Sequence, residues 1–343
     1  GFFERMKSIL LDTIEGRKRE RPPVWFMRQA GRVLPNYNAL KNNYSFREMM
    51  ADPKLASRVT LMPVADLGVD AAILFSDILV VPMAMGMELK WTDSGPLFPT
   101  PLSRFESPVK ELKAAPEKLE YIYHVIDEVI ATRPADIPLI GFCGSALTTM
   151  CYMLEGVSSN GNFPNAMKFL YSNKAEAQKL IDAISEFSVH YALKQIEHGI
   201  DVFQLFETHA GLIPTELYME MFLPSVKKMA DAVRSKCLPF IFFPKGFSTG
   251  MESITPELCD FVSIDWQMPL AHARRMVHPE VGLQGNIDPR LLYAPQAVIA
   301  EELEKLKPFF KDNPKWILNL GHGFLPDTPF ENAKFVVDWV KNT

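Results

Sequence analysis

The amino-acid sequence predicts an α/β fold, namely a single (β/α)8 barrel of the TIM type with an elaborated loop region after its second strand. The first observation is length: 343 residues, 48% of them hydrophobic, can bury a large core, which fits either two ordinary domains or one barrel-sized domain. The second is a series of short apolar runs that are continuous rather than alternating, as in parallel strands covered on both faces. The third is the presence of helical patterns between these runs, since alternating strands and helices favour a parallel sheet.

Each candidate strand is an apolar run that ends in turn or polar residues. The runs are residues 24–27, 71–75, 139–142, 202–206, 240–243, 261–264, 281–284 and 316–320. Residues with helical period lie between them at 52–67, 164–199 (as two helices), 214–237, 269–277, 295–306 and 330–341. Several of these helices begin with Pro or Asp-Pro, a pattern favoured at the first helical turn.

The segment 80–138 interrupts the alternation. It is rich in Pro, Gly and charged residues, and only residues 117–131 within it have a helical pattern. No internal repeat or low-complexity linker divides the chain, so residues 1–343 are expected to form one domain. A doubly wound open sheet is the alternative fold, but it usually carries a glycine-rich phosphate loop after the first strand, where this sequence has RQAGR.

Composition excludes several classes of function. The net charge of -5 and the absence of a Lys/Arg block argue against a nucleic-acid partner. No apolar run reaches the roughly 18 residues that a membrane span needs. The four cysteines show no CxxC and no His at metal-ligand spacing, so we expect neither a metal site nor disulfides, and a reducing, cytoplasmic location. They are Cys143, Cys151, Cys237 and Cys259.

Polar residues concentrate where the candidate strands end. In a (β/α)8 barrel the carboxyl ends of the strands form the active site, so these residues are the candidates for chemistry. They are Arg28 and Arg32, Ser76 and Asp77, Cys143 and Gly144, Glu207 to His209, Pro244 and Lys245, Asp265 and Trp266, Gly285 to Asp288, and Gly321 to Gly323.

Arg28 and Arg32 flank Gly31 just after the first candidate strand. One interpretation is a structural pairing with acids such as Glu48 or Asp77. The other is a clamp for a carboxylate or phosphate, because guanidinium groups donate bidentate hydrogen bonds and stay charged at any working pH.

Three further residues have both a structural and a functional interpretation. Asp77 is expected to be partly buried; it either pairs with an arginine or receives N–H donors and a developing positive charge. His322 is either a supporting hydrogen-bond partner or a substrate contact. Tyr152 either packs in the core or offers a phenol that orients an acidic partner.

The remaining strand ends indicate less. Lys245, Asp265 and Asp288 are expected to bridge loops. No metal-ligand cluster, nucleophile elbow or phosphate-binding loop is present in the sequence. Residue types alone therefore favour cofactor-free proton chemistry on a polyanion.

Six stretches together resemble the uroporphyrinogen decarboxylase family, in the family's order and over nearly the whole chain. They are MRQAGRVLPNY, FSDIL, GFCGSALTTMCYMLEG, QLFETHAG, LQGNID and NLGHG. The resemblance implies a single barrel that forms a homodimer with facing active-site clefts. It also implies an activity, the removal of CO₂ from the four acetate side chains of uroporphyrinogen III to give coproporphyrinogen III, with neither metal nor organic cofactor.

The resemblance assigns roles to individual residues. Arg28 and Arg32 would bind acetate and propionate carboxylates of the substrate. Asp77 would receive the pyrrole N–H groups and stabilise a cationic ring. Tyr152 and His322 match active-site residues of the family, and catalysis is expected from Asp77, Tyr152 and Arg28.

Some positions depart from the family pattern. Val33 stands where the family usually has Tyr, and Ala146 and Leu147 stand where it usually has Pro and Trp. Thr208, expected to contact substrate, replaces the usual Ser and keeps a hydroxyl. These changes affect the expected side-chain contacts near residues 33 and 146.

Two alternative functions remain at this stage. A zinc-dependent methyltransferase of the same superfamily needs a His-x-Cys and a distant Cys, and none of the cysteines here has that neighbourhood. A non-catalytic tetrapyrrole-binding relative would bind the porphyrinogen without releasing CO₂. The retention of Asp77, Tyr152 and His322 with both arginines argues against it.

Overall fold

A computed structural model describes residues 6–92, 94–157 and 161–343. Its strands are β1 (Ala72–Ile73), β2 (Lys90–Thr92), β3 (Gly95–Leu97), β4 (Leu139–Gly144), β5 (Val202–Glu207), β6 (Phe240–Pro244), β7 (Phe261–Ser263), β8 (Gly282–Gln284) and β9 (Trp316–Ile317). Seven of them form one parallel sheet in the order β1-β4-β5-β6-β7-β8-β9, and β2 and β3 form a separate antiparallel hairpin. The sequential order of the seven strands is that of a barrel wall rather than a doubly wound sheet.

Helices connect the parallel strands and pack around them. They are α1 (Ile9–Ile14), α2 (Pro35–Lys41), α3 (Phe46–Ala51), α4 (Pro53–Leu67), α5 (Val80–Ala84), α6 (Glu120–Thr132), α7 (Ala146–Glu155), α8 (Pro164–Ser172), α9 (Lys174–His198), α10 (Thr215–Met221), α11 (Leu223–Arg234), α12 (Leu270–Met276), α13 (Gln296–Glu304), α14 (Lys307–Asp312) and α15 (Phe330–Asn342). Within the described ranges, none of them combines the length and apolarity needed to cross a membrane.

The two edges of the seven-stranded sheet are joined by the segment around Val24. Val24 forms a parallel bridge with Leu318, just after β9. On its other side, the Val24 carbonyl accepts a hydrogen bond of 2.8 Å from the N–H of Asp70, two residues before β1. The first of the eight predicted strands is therefore reduced to a single bridge that lies between the first and last strands of the sheet.

The residues at its two ends explain where α4 begins and ends. Asp52 caps its start by accepting hydrogen bonds from the N–H groups of Lys54 and Leu55. Gly68 ends it with a φ of 80°, a conformation that glycine adopts without strain. Between these ends α4 packs against α6, and the sheet strands beneath are almost entirely buried.

The predicted parallel α/β architecture is confirmed, and the predicted strands coincide with observed ones except at 24–27. The segment 80–138 does contain α6, close to the predicted helix at 117–131, but it also contains α5 and the β2–β3 hairpin, which were not predicted. The helix α7 was missed as well. Nine of its ten residues are buried, so no exposed polar face marks it in the sequence as a surface helix.

Candidate active site

Arg28 lies at the carboxyl end of the short Val24 strand. Its φ of 63° is in the left-handed region, which is uncommon for a residue other than glycine. Its side chain lies against Gly323, after β9, where a Cβ atom would come within 2.6 Å of Cγ of Arg28. Gly323 therefore makes room for the arginine, and the ends of the first and last strands meet here.

The guanidinium groups of Arg28 and Arg32 form no ion pair with any carboxylate of the described residues. The acids considered as partners are engaged otherwise: Glu48 closes the capping box of α3, and Asp77 accepts a hydrogen bond of 2.8 Å from the N–H of Leu79. Both arginines are exposed. The structural interpretation of this pair is thus not supported, and both cations are available to an anion from solution.

Arg32 lies near Tyr37, whose ring packs against the segment that leads to Asp77. Its charge opposes the rise in the pKa of Tyr37 that burial causes. The ring of Tyr37 contacts Phe75 with centroids 6.0 Å apart, and Phe75 precedes Asp77 by two residues. The charge of Arg28, by contrast, affects the pKa values of Asp77, Lys245 and His322.

Asp77 follows β1 and is only partly accessible to solvent. Burial raises the pKa of its carboxyl group, while the N–H of Leu79 and the charge of Arg28 oppose that rise. The pKa of Tyr121 is raised to about 12, mainly by burial of the phenol and in addition by the negative charge of Asp77. The carboxylate therefore sits in a region of low polarity with one cation near it, as its sequence context predicted.

Tyr152 projects from α7 toward the end of β5. Its hydroxyl lies 3.3 Å from Nε2 of His209, and its ring packs edge-on against Phe163 with centroids 5.4 Å apart. Burial, followed by the charge of Lys245, lowers the pKa of His209 to about 4. At neutral pH the imidazole is uncharged and can share a hydrogen bond with the phenol. Sequence reasoning placed His209 at a strand end but gave it no role.

His322 lies in the loop after β9, with its ring 6.4 Å from that of Phe243 between centroids. Burial lowers its pKa to about 3, and the charges of Arg28, Lys245 and His209 add to this effect. Arg28, His209, Lys245 and His322 thus interact electrostatically, although each follows a different strand or bridge of the barrel.

Thr208 is half-buried between the last residue of β5 and His209. Before it stands Glu207, which is fully buried; no described residue makes a hydrogen bond of ordinary geometry to its carboxylate oxygens, although the Ser145 hydroxyl and the N–H groups of Leu147 and Thr148 lie near them. Burial raises the pKa of Glu207 to about 8, although the Ser145 hydroxyl and nearby backbone N–H groups oppose the rise. The sequence places Glu207 at a strand end, but nothing in the local pattern shows that its carboxyl group is buried.

Of the residues expected to bridge loops, Asp265 does so. Its two oxygens accept hydrogen bonds of 2.8 Å from the N–H groups of Gly246 and Gln267. Asp288 instead accepts from the N–H of Arg290, in a local turn. No three or more His, Cys, Asp or Glu side chains in the described ranges are arranged to hold a metal ion.

This geometry defines a class of protein: a parallel α/β barrel whose strand ends combine unpaired cations with a partly buried carboxyl group and neutral imidazoles. Residues 6–343 match the model of the family described as uroporphyrinogen decarboxylase, and the chain belongs to that family.

Relatives with that description are similar over their full length. The chain is 38% identical to the uroporphyrinogen decarboxylase of Pelobacter propionicus over 339 residues, which covers 98% of each protein. It is 36% identical to that of Francisella philomiragia over 342 residues, covering 98% of this chain and 99% of the relative.

Among solved structures, a methyltransferase from Methanosarcina mazei has a TM-score of 0.75 with 19% sequence identity, and the similarity covers 97% of both chains. A B12-independent methionine synthase from Shewanella has a TM-score of 0.54 with 11% identity, covering 84% of this chain and 87% of that one. Both similarities concern the fold alone.

Proposed function

We propose that this protein decarboxylates uroporphyrinogen III, removing its four acetate carboxyl groups in haem biosynthesis and leaving coproporphyrinogen III. Membership of the uroporphyrinogen decarboxylase family over residues 6–343 makes it a carboxy-lyase. The observation that carries the proposal is the unpaired guanidinium of Arg28, which lies beside Asp77 and His322 at the barrel's strand ends.

The substrate is a polyanion, and the strand ends carry cations that have no carboxylate partner among the described residues. Arg28 and Arg32 bind carboxylates of the acetate and propionate side chains. Each charge-assisted pair contributes roughly 1.5 to 3 kcal/mol. Thr208, Tyr152 and His322 complete the contacts, with hydroxyl groups and a neutral imidazole that donate or accept hydrogen bonds.

The substrate supplies its own electron sink. Protonation of a pyrrole α-carbon gives a cationic ring, which accepts the electron pair left when CO₂ departs from the acetate. The resulting exocyclic methylene carbon then takes a proton to become a methyl group, and the α-carbon loses its proton again. In sum, each acetate loses CO₂ and gains one proton, so no organic cofactor is required.

Asp77 stabilises the cationic ring and receives the pyrrole N–H groups. Its carboxylate is placed in a weakly polar setting, where electrostatic stabilisation of a developing charge is strong. Arg28 and Tyr152 position the proton. The contact between the Tyr152 hydroxyl and His209 orients that phenol.

The alternative of a thiol-activating zinc methyltransferase is not supported by the cysteines. Cys143, Cys151 and Cys259 are fully buried, and burial raises the pKa of each thiol far above its usual value. A methyltransferase of that kind holds zinc with a cluster of His and Cys side chains, and no such cluster exists among the described residues.

The test is an anaerobic incubation of the purified protein with uroporphyrinogen III in the presence of EDTA, followed by chromatography of the oxidised porphyrins. We expect successive seven-, six-, five- and four-carboxylate species. If folded protein leaves the eight-carboxylate porphyrin unchanged, the proposed decarboxylase activity is overturned and the alternative of a non-catalytic tetrapyrrole-binding protein is favoured.

We also propose that the protein is a single-domain chain that forms a homodimer with facing clefts, and that it acts in the cytoplasm. The four free cysteines support a reducing compartment. Light scattering at micromolar concentration is expected to give twice the chain mass of 38.8 kDa. A mass of one chain would contradict the dimer without affecting the assigned activity.

A further inference from the structure

Lys245 occupies a fixed position at the carboxyl end of β6. Its N–H donates a hydrogen bond of 3.1 Å to the carbonyl of Glu207, and its carbonyl accepts one of 3.2 Å from Gly211. Gly211 also packs against Gly246, the residue after Lys245, because a Cβ on Gly211 would come within 2.6 Å of the Gly246 carbonyl oxygen. The backbone of Lys245 is thus held between two neighbouring loops.

The ammonium group of Lys245 has no carboxylate partner among the described residues, although the side chain is half-buried. The nearby acid is Asp265, whose oxygens already accept hydrogen bonds from backbone N–H groups. Burial lowers the pKa of Lys245, Asp265 opposes this, and the charge of Arg28 lowers it further. A partly buried cation beside another cation is costly unless an anion joins them.

The surroundings of Lys245 place this cation in the same cleft as the assigned site residues. Its charge acts on both His209 and His322. Its Nζ lies 5.3 Å from the ring centroid of Trp266, so an aromatic face supports the extended side chain.

We propose that Lys245 is a third cationic residue of the substrate cleft and binds a carboxylate of the substrate beside the one that Arg28 holds. This inference rests on the proposed function and identifies a binding residue that sequence reasoning had expected only to bridge loops. The ammonium group acts as a point charge with three donors, so it accommodates a carboxylate that changes orientation between decarboxylation steps.

The test compares Lys245→Met with Lys307→Met. Lys307 is a matched control, since its Nζ lies 5.1 Å from the ring centroid of Trp339 but on the exterior of the barrel. Binding is measured anaerobically by fluorescence quenching, with the oxidised octacarboxylate uroporphyrin and the tetracarboxylate coproporphyrin as probes. We expect Lys245→Met to weaken uroporphyrin binding roughly tenfold or more, and both Lys307→Met and the charge-preserving Lys245→Arg to stay within about threefold of wild type.

The two porphyrins show whether Lys245 binds an acetate or a propionate carboxylate. Weaker binding of both porphyrins assigns Lys245 to a propionate, which both carry, and weaker binding of uroporphyrin alone assigns it to an acetate. Unchanged binding of both would overturn the proposal. Wild-type turnover is measured separately. If the wild type is active and Lys245→Met binds both porphyrins normally, Lys245 is not a binding residue, while the proposed decarboxylase activity still holds.

A second measurement needs no variant. Wild-type protein is treated with an amine-reactive reagent with and without uroporphyrin, and the modified lysines are identified by peptide mass spectrometry. Uroporphyrin is expected to protect Lys245 and not Lys307. Equal labelling of Lys245 in both samples at saturating uroporphyrin would contradict the proposal.

Discussion

Burial acts in opposite directions on the acidic and basic side chains of the cleft. It raises the pKa of Asp77 and lowers the pKa values of His209 and His322 to about 4 and about 3. Both imidazoles are therefore uncharged at neutral pH, and the fixed positive charge comes from the arginines and Lys245. The cleft can attract a polyanion with these cations while its histidines serve as neutral hydrogen-bonding groups.

The charge of Asp77 is the residue-level feature on which the proposed chemistry depends. We expect Asp77→Asn to lower kcat by at least about 100-fold, because an amide cannot balance a protonated pyrrole ring. The rate is measured by chromatography of porphyrins formed under saturating uroporphyrinogen. Asp231→Asn, at an exposed carboxylate paired with Lys227, is the control and should turn over normally. Near-wild-type turnover by the Asp77 variant would remove Asp77 from this role.

Glu207 links stability to pH, because its folded pKa of about 8 lies above the ordinary value of 4.5. Between these values the unfolded chain loses a proton that the folded protein keeps, so the contribution to stability is full below pH 4.5 and is lost as pH rises toward 8. We expect wild type to lose stability relative to Glu207→Gln over this range, by at most about 1.4 kcal/mol per pH unit.

Urea unfolding of the two proteins at pH 5, 6, 7 and 8 measures this difference. Glu220→Gln makes the same substitution at an exposed position and reports what the change of residue type does by itself. A difference between wild type and Glu207→Gln that stays constant with pH would show that the folded carboxyl group does not titrate near 8.

At the scale of the element, the sequence predicts strands that are continuous apolar runs and helices whose apolar residues are periodic. Elements with neither pattern are not predicted. The strands β4, β5 and β6 are long apolar runs and were predicted within two residues. Residues 24–27 form an equally apolar run, yet only Val24 pairs, because the chain turns at Arg28 with a left-handed φ. The helix α7 is buried on all sides, so its place beside the site could not be read from amphipathic pattern.

The contact between Arg28 and Gly323 gives a prediction about two loops. In Gly323→Ala the new Cβ would overlap the Arg28 side chain, which must move while the fold is kept. We expect kcat/KM to fall about tenfold or more, since small displacements of a positioning group are costly. The change is measured by steady-state kinetics together with a thermal unfolding curve.

Gly31→Ala is the matched control for that substitution. It adds the same methyl group to the loop between Arg28 and Arg32, where the Arg28 carbonyl oxygen is 3.5 Å away, an ordinary contact distance. It should keep kcat/KM within about threefold of wild type. Equal losses in both variants would show that general loop disturbance, rather than Arg28, is responsible.

At the scale of the whole molecule, the site exists only because the barrel brings distant segments together. Arg28, Asp77, Lys245 and His322 span almost the entire sequence, and the strand-end pattern with the family resemblance predicts that three of them bind substrate. The sequence does not suggest the role proposed for Lys245, because an ammonium group without a carboxylate partner is recognised only when the partners of neighbouring acids are known. From the sequence alone, Asp265 and Lys245 could equally well form an ion pair with each other.

Closure of the barrel depends on how its first segment is attached. Asp70 binds Arg21 with two hydrogen bonds of 2.8 and 3.0 Å and also accepts one of 2.8 Å from the N–H of Val24. These groups are largely buried, so removing one partner leaves the guanidinium and the N–H unsatisfied. The interaction connects the segment that precedes Arg28 to the strand that precedes Asp77. We therefore expect stability and site geometry to be coupled at this point.

Asp70→Ala is expected to lower the free energy of unfolding by about 3 kcal/mol, as measured by urea denaturation. The control is Asp12→Ala, which removes a more exposed ion pair with Arg19 in the same N-terminal region and should cost less than about 1 kcal/mol. If the attachment also positions Arg28 relative to Asp77, the folded Asp70 variant will show a raised KM below its unfolding transition, whereas the Asp12 variant will not. A loss of stability with unchanged KM would confine Asp70 to barrel closure, and equal stabilities of the two variants would contradict both roles.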